Sequence, residues 1–147
     1  MALKRKKIEE WLETMKDINK PKRIMMVDDK KDQCNSIAIA LKDKYGDDYI
    51  FISANSGHEC LQLLKESKEL PDLIILDLMM PEMSGWEVFD KIRDNPDWRQ
   101  IPIIFLTART DRIAETAGEF FGNDFLQKPI GIDELIQRIN KILNKQN

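Results

Sequence analysis

Cysteine is scarce in this chain, with only Cys34 and Cys60 among 147 residues. The two fit no metal-binding spacing and fall in amphipathic stretches, which predicts reduced, buried, structural thiols of a cytoplasmic protein. Histidine is scarcer still. His58 is the single example and has no second ligand beside it, so a surface position is expected rather than a metal or phosphohistidine site. Long apolar runs are missing, which excludes a membrane span, and no apolar run follows the basic cluster near the N-terminus, which excludes a signal peptide. A large excess of one charge is absent too: the net charge is −3, and the molecule has no bulk electrostatic reason to seek nucleic acid. No linker or low-complexity segment divides the chain.

What remains is an ordinary globular composition, 42% hydrophobic and 33% charged, in a length that suits one domain with a real core. From residue 22 onward, short apolar runs alternate with amphipathic stretches. The runs are Ile24 to Val27, Tyr49 to Ile52, Leu73 to Leu76, Ile103 to Leu106 and the weaker Phe125-Leu126. Unalternating runs of this length suit strands covered on both faces, as in a parallel sheet. The intervening stretches read as helices. In the last, Ile132, Leu135, Ile136, Ile139, Ile142 and Leu143 form a stripe of period 3.6, with Asp133 or the preceding turn as its start. Trp86, Val88, Phe89 and Ile92 mark another buried stripe, ended by Asn95-Pro96. The helix before Phe125 is the weakest, with Ile113 and Ala117 as its core candidates and Gly118 inside it. Strand–helix alternation of this kind predicts an α/β protein, a doubly wound five-stranded parallel sheet with helices on both faces.

The residues after each run carry the chemistry. Strand 1 runs into Asp28-Asp29, strand 3 into Asp77, strand 4 into Thr107, and strand 5 into Lys128-Pro129. In a parallel sheet all carboxyl ends share one edge, so three carboxylates, a hydroxyl and an ammonium converge there. Taken singly each has a plainer explanation. Acidic pairs are common turn residues, a strand-end threonine bonds to backbone, and a lysine is usually a solvated charge. Together they describe a centre for phosphoryl chemistry. Clustered carboxylates need a cation, hard oxygen donors suit Mg²⁺, and a carboxylate nucleophile can become an acyl phosphate.

Val-Asp-Asp after strand 1, Asp-Leu-Met-Met-Pro-Glu-Met-Ser-Gly from Asp77, Thr107-Ala108 and Lys128-Pro129 resemble the signature of response-regulator receiver domains of two-component systems. The resemblance spans roughly residues 22–145. It implies a flavodoxin-like fold with strand order 2-1-3-4-5. It further implies that Asp77 accepts phosphate from a sensor histidine kinase. Asp29, Asp77 and the Met79 carbonyl would hold Mg²⁺, with Asp28 acting through water. Thr107 and the Ala108 amide would bind phosphoryl oxygens, Lys128 would pair with them, and Thr107 with Phe125 would form the switch. Met79 and Arg109 are the residues placed to tune dephosphorylation, and the Lys128-Pro129 bond is expected to be cis. Two departures stand out. Gly122-Asn123-Asp124-Phe125 is one residue shorter than the family's usual segment, and the switch ring is Phe rather than Tyr.

The expected protein is therefore a cytoplasmic phosphorylation switch. It is no enzyme beyond its own phosphorylation and dephosphorylation, and it acts through an unidentified downstream protein. A phosphorelay intermediate and a phosphate-independent docking module remain open. A flavin-binding module does not fit, because Asp28-Asp29-Lys30-Lys31 is the wrong chemistry for a phosphate loop.

The chain divides into residues 1–21, an N-terminal amphipathic helical extension, and residues 22–147, the receiver. In the extension Ile8, Trp11, Leu12, Met15 and Ile18 form a stripe at helical spacing behind the basic run Lys4 to Lys7. Docking onto its own domain, pairing into a homodimer, lying on a membrane surface and fraying are all open for it.

Overall fold

Residues 2–107, 124–129 and 131–144 are described by the structure, a computed structural model. The element order is α1 (Ala2–Asn19), β1 (Lys22–Val27), α2 (Lys31–Tyr45), a 3₁₀ turn (Gly46–Asp48), β2 (Tyr49–Ala54), α3 (Gly57–Glu66), β3 (Leu73–Asp77), α4 (Gly85–Asp94), β4 (Ile103–Thr107), β5 (Asp124–Gln127) and α5 (Ile132–Asn144). Every apolar run seen in the sequence is a strand, lengthened by one or two residues. The helix expected around Ile113, Ala117 and Gly118, and the Gly122-Asn123 segment, lie outside the described residues.

The strands form one five-stranded sheet in the order β2-β1-β3-β4-β5, with every neighbouring pair parallel. Successive side chains on a strand point to opposite faces. Met25, Val27, Ile74, Leu76, Ile103 and Phe105 accordingly pack with Cys60, Leu64, Val88, Phe89 and Ile92 of α3 and α4. Ile24, Met26, Leu73, Ile75, Ile104 and Leu106 pack with Cys34 and Leu41 of α2 and the stripe of α5. The central strands β3 and β4 and most of β1 are buried on both sides, which is why they read as unbroken apolar runs.

Capping fixes where the helices start. Ser56 and Ser84 each accept a hydrogen bond from the backbone N–H three residues on, at Glu59 (3.0 Å) and Glu87 (3.3 Å). α5 begins at Ile132, so Asp133 lies within its first turn and the preceding turn is the start. Asn95 caps the end of α4. Both cysteines are free and buried, and burial pushes the thiol of Cys34 up to about 11 and that of Cys60 up to about 12.

α1 is helical, as its periodicity predicts, but it does not dock. Ile8, Trp11, Leu12, Met15 and Ile18 are between 37% and 68% exposed. Two residues separate α1 from β1, too few to fold the helix back over either helix layer.

Candidate functional site

The strand register sets the site. Val27 lies beside Leu76, Asp77 beside Leu106, and Thr107 beside Gln127. Asp28, Asp77, Thr107 and Lys128 therefore emerge within about one residue rise, roughly 3.3 Å, of the same level at the carboxyl edge. The backbone ties the strand ends together. The Lys128 N–H donates to the Thr107 carbonyl (2.7 Å), Leu78 N–H to the Leu106 carbonyl (3.3 Å), and Asp28 N–H to the Ala54 carbonyl (3.0 Å). The Lys128-Pro129 peptide is cis.

The side chains converge as the sequence predicts. One carboxylate oxygen each from Asp28, Asp29 and Asp77 lies within 4.8 Å of the others. The Lys128 ammonium sits 2.6 Å from Oδ2 of Asp28 and 3.3 Å from Oδ2 of Asp77. Asp28, Asp77 and Thr107 are all buried. Burial raises the Asp77 carboxyl above the ordinary aspartate range; the Met79 N–H (3.1 Å) and the Lys128 charge pull it down, and Asp28 pushes it up again. For Lys128, burial alone acts to lower the ammonium, but the hydrogen bond to Asp28 and the charges of both aspartates outweigh it and the value rises.

The acids differ in what they have left to offer. Asp28 has both oxygens engaged, Oδ1 by the Lys30 N–H (2.9 Å) and Oδ2 by Lys128. Its carbonyl accepts from the Asn55 side-chain amide (3.2 Å) and from the Cys34 thiol (3.9 Å). Asp29 is only half-buried. Sequence reasoning missed Lys30, Asn55 and Cys34, because a backbone amide, an amide side chain 27 positions away and a thiol carry no motif.

Gly85 packs against the acceptor strand. A Cβ there would lie 2.3 Å from the Asp77 carbonyl oxygen and 2.7 Å from Cα of Leu78. Glycine lets the start of α4 lie directly on the backbone of the acceptor strand, where its N–H donates to the Leu78 carbonyl (3.0 Å). The intervening loop is anchored by buried Met80 and Met83. Met79 is different, a residue left 54% exposed. Ala108 and Arg109 lie outside the described residues. Phe125 pairs with Phe105 across β4 and β5 and packs half-buried against the α3–α4 side of the core, where the Trp86 and Phe89 rings lie 5.1 and 5.2 Å from Phe105. His58 is exposed, as expected.

A doubly wound parallel sheet with an acidic cluster and one lysine at its carboxyl edge defines a class of phosphoryl-handling signalling folds. The family model for the response regulator receiver domain matches residues 24–140, and the chain belongs to that family. It is 34% identical to the response regulator ArlR of Staphylococcus saprophyticus over 125 residues, 84% of this chain and 53% of that protein. Among solved structures, the receiver domain of Francisella response regulator 1452 superposes with a TM-score of 0.73 at 26% identity, covering 86% of this chain and 99% of that one. The phosphorylated cyanobacterial phytochrome response regulator RcpA gives 0.69 at 25% identity, with 83% and 91% covered. The chain spans about half or less of the length of the curated relatives it matches. It is a receiver domain of the two-component type, and a phosphorylation-dependent switch is consistent with that family. Among the described residues, no helix is long and apolar enough to cross a membrane.

Proposed function

We propose that Asp77 is the phosphoacceptor and that its donor is the phosphohistidine of a sensor histidine kinase. The observation that carries this is the Asp28–Lys128–Asp77 cluster, in which one ammonium lies within 3.3 Å of two buried carboxylates. An Asp77 carboxylate oxygen attacks phosphorus, the phosphorus–nitrogen bond breaks, and the histidine nitrogen leaves with the electron pair and takes up a proton. The product is an acyl phosphate on Asp77. Lys128 moves from bridging two aspartates to pairing with phosphoryl oxygens, with Asp28 holding it in place. Thr107 and the Ala108 amide supply the remaining contacts to phosphoryl oxygens.

The donor set fits a hard divalent cation. Three clustered carboxylates, one already satisfied by protein donors, leave Asp29 and Asp77, with the Met79 carbonyl, to hold Mg²⁺ directly and Asp28 to act through water. When bound, Mg²⁺ neutralises charge on the phosphoryl oxygens. The signal then passes through Thr107 and Phe125 to a downstream protein in the cytoplasm, with phosphate selecting between two packings of the Phe125 ring.

Intact-mass measurement after treatment with acetyl phosphate and Mg²⁺ tests this. A single adduct of about 80 Da is expected, and Asp77→Asn should not acquire it. An adduct that persists in that variant overturns the assignment.

A further inference from the structure

Consecutive side chains on an extended strand point to opposite faces. Asp28 and Asp29 are consecutive, yet a carboxylate oxygen of each lies within 4.8 Å of the other and of Asp77. The chain must leave the extended path between them. The peptide that joins Asp28 to Asp29 sets how it does so, and its orientation decides whether both acids reach the site.

The oxygen of that peptide is the Asp28 carbonyl, in a residue with no exposed surface. A buried carbonyl needs a donor. The β1–β2 ladder does not supply one. Its last register pair is Val27 with Ala54, and the Asp28 N–H still donates to the Ala54 carbonyl (3.0 Å). A longer parallel ladder would bring the Ser56 N–H to the Asp28 carbonyl next, but β2 ends at Ala54 and Ser56 is already the N-cap of α3. The Asn55 side chain takes that place, donating from Nδ2 at 3.2 Å. The Cys34 thiol also faces the carbonyl, at 3.9 Å, but a thiol is a weak donor.

Asn55 is itself held. Its backbone N–H donates to Oε2 of Glu59 (3.0 Å), and the Glu59 N–H donates to the Ser56 hydroxyl (3.0 Å). The first turn of α3 thus fixes the backbone from which the Asn55 side chain reaches Asp28.

We propose that Asn55 is a positioning residue for the cation site, holding the Asp28–Asp29 peptide so that Asp29 meets Asp77 while Asp28 meets Lys128. It acts through that peptide and not as a ligand. The inference rests on the reading of Asp29 and Asp77 as direct Mg²⁺ ligands and supplies what sets their geometry.

The test uses the full chain with Asn55→Ala and with Asn55→Leu, which keeps the volume but cannot donate. Phosphorylation by acetyl phosphate is followed against Mg²⁺ concentration. Half-saturating Mg²⁺ should rise by about tenfold or more, the loss typical when the group behind a metal ligand is removed, while the rate at saturating Mg²⁺ stays near the parent's. Without Mg²⁺, the Asp29 amide resonance should shift in both variants, because that N–H belongs to the peptide whose oxygen has lost its donor. Ile139→Val, a core truncation in α5, should lower the unfolding midpoint and show neither effect. Parental half-saturation in both Asn55 variants, beside a weakened Asp29→Ala, overturns this inference alone. An equal loss in Ile139→Val overturns it too, by reducing the effect to general stability. A parent indifferent to Mg²⁺, or an Asp29→Ala variant that binds it as tightly as the parent, overturns the cation reading and this inference with it.

Discussion

Lys128 Nζ is held 2.6 Å from Oδ2 of Asp28, closer than to the proposed acceptor Asp77 at 3.3 Å. The lysine expected to meet phosphate is thus anchored by an acid that does not receive it. Under the proposed function Asp28 is a positioning residue, buried and fixed by the Lys30 amide, that would keep the ammonium on the site before any phosphoryl group arrives. This divides the acidic pair, and the division can be measured.

Asp29→Ala should lose Mg²⁺ affinity and phosphorylation together, because it removes a direct oxygen ligand. Asp28→Ala should retain more Mg²⁺ affinity but cost stability, roughly 1–3 kcal/mol, since the Lys30 N–H and the buried ammonium lose an acceptor. Mg²⁺ titration and urea unfolding of both variants check this. Equal loss of Mg²⁺ affinity in the two would refute the division.

Asp77 carries a sign that can be tested by pH. Burial raises its pKa in the folded protein, so the folded state binds that proton more tightly than the unfolded chain does. Its contribution to stability is full below the ordinary aspartate value and is lost as pH rises through the raised one. Above the raised value and without Mg²⁺, the Asp77 charge is unfavourable, and Asp77→Asn should unfold at a higher temperature than the parent. The gap should close as pH falls from the raised value to the ordinary aspartate value, and also as Mg²⁺ is added to the parent. A variant less stable than the parent at neutral pH would mean that the bond to Lys128 outweighs burial.

Gly85→Ala should be severe for so small a change. The added Cβ would meet the Asp77 carbonyl at 2.3 Å, and backbone on both sides cannot yield as a side chain end can. Overpacking of this kind costs about 1–3 kcal/mol. Because the displaced atoms belong to the acceptor residue, phosphorylation should slow more than stability alone explains. A variant with parental unfolding and parental phosphorylation would show that α4 can slide away from the strand.

How much of this was legible in the sequence follows from what leaves a local trace. Leu73 to Asp77 and Ile103 to Thr107 announce themselves as buried strands followed by a polar residue, so the level edge of Asp28, Asp77, Thr107 and Lys128 could be drawn before any coordinates. The periodic stripe of α5 was equally plain. The partner chosen by Lys128 was not, because three carboxylates compete for it and only distance decides. Nor was the exposure of α1: a stripe of Ile8, Trp11 and Met15 says that a helix needs a partner but not which one. Asn55 and Cys34 act on Asp28 through its carbonyl, a contact that depends on where α2 begins and β2 ends.

Thr107→Val separates acceptance from transmission. Thr107 ends β4 two residues after Phe105, which lies beside Phe125 on β5. Valine keeps the volume and the backbone acceptor for the Lys128 N–H but removes the hydroxyl that would be drawn to phosphate. The variant should still gain the adduct, while the environment of the Phe125 ring, followed by aromatic side-chain NMR, should stop responding to phosphorylation. An unchanged response would place the switch elsewhere.

The lifetime of the phosphoryl group is the last expectation, and it rests on Met79. An acyl phosphate is lost when water attacks phosphorus in line, so residues at the mouth of the site decide how readily a water is held there. Met79 donates its backbone N–H to Asp77 Oδ1 at 3.1 Å, which fixes its Cα beside the acceptor, and the residue is 54% exposed. A thioether is at best a weak acceptor and cannot orient an attacking water. Slow hydrolysis is expected, suited to persistent output rather than rapid reset. Met79→Asn supplies an amide at the same point, and one hydrogen bond worth about 1 kcal/mol to the attacking water corresponds to roughly fivefold in rate. Arg109, the second residue expected to cover the phosphoryl group, lies outside the described residues, and Arg109→Glu serves as a companion variant. Loss of phosphate followed by intact mass in Mg²⁺ gives the rates. If the parent already hydrolyses as fast as the variant carrying both substitutions, neither side chain shields the acyl phosphate and the expectation of a long-lived signal is wrong.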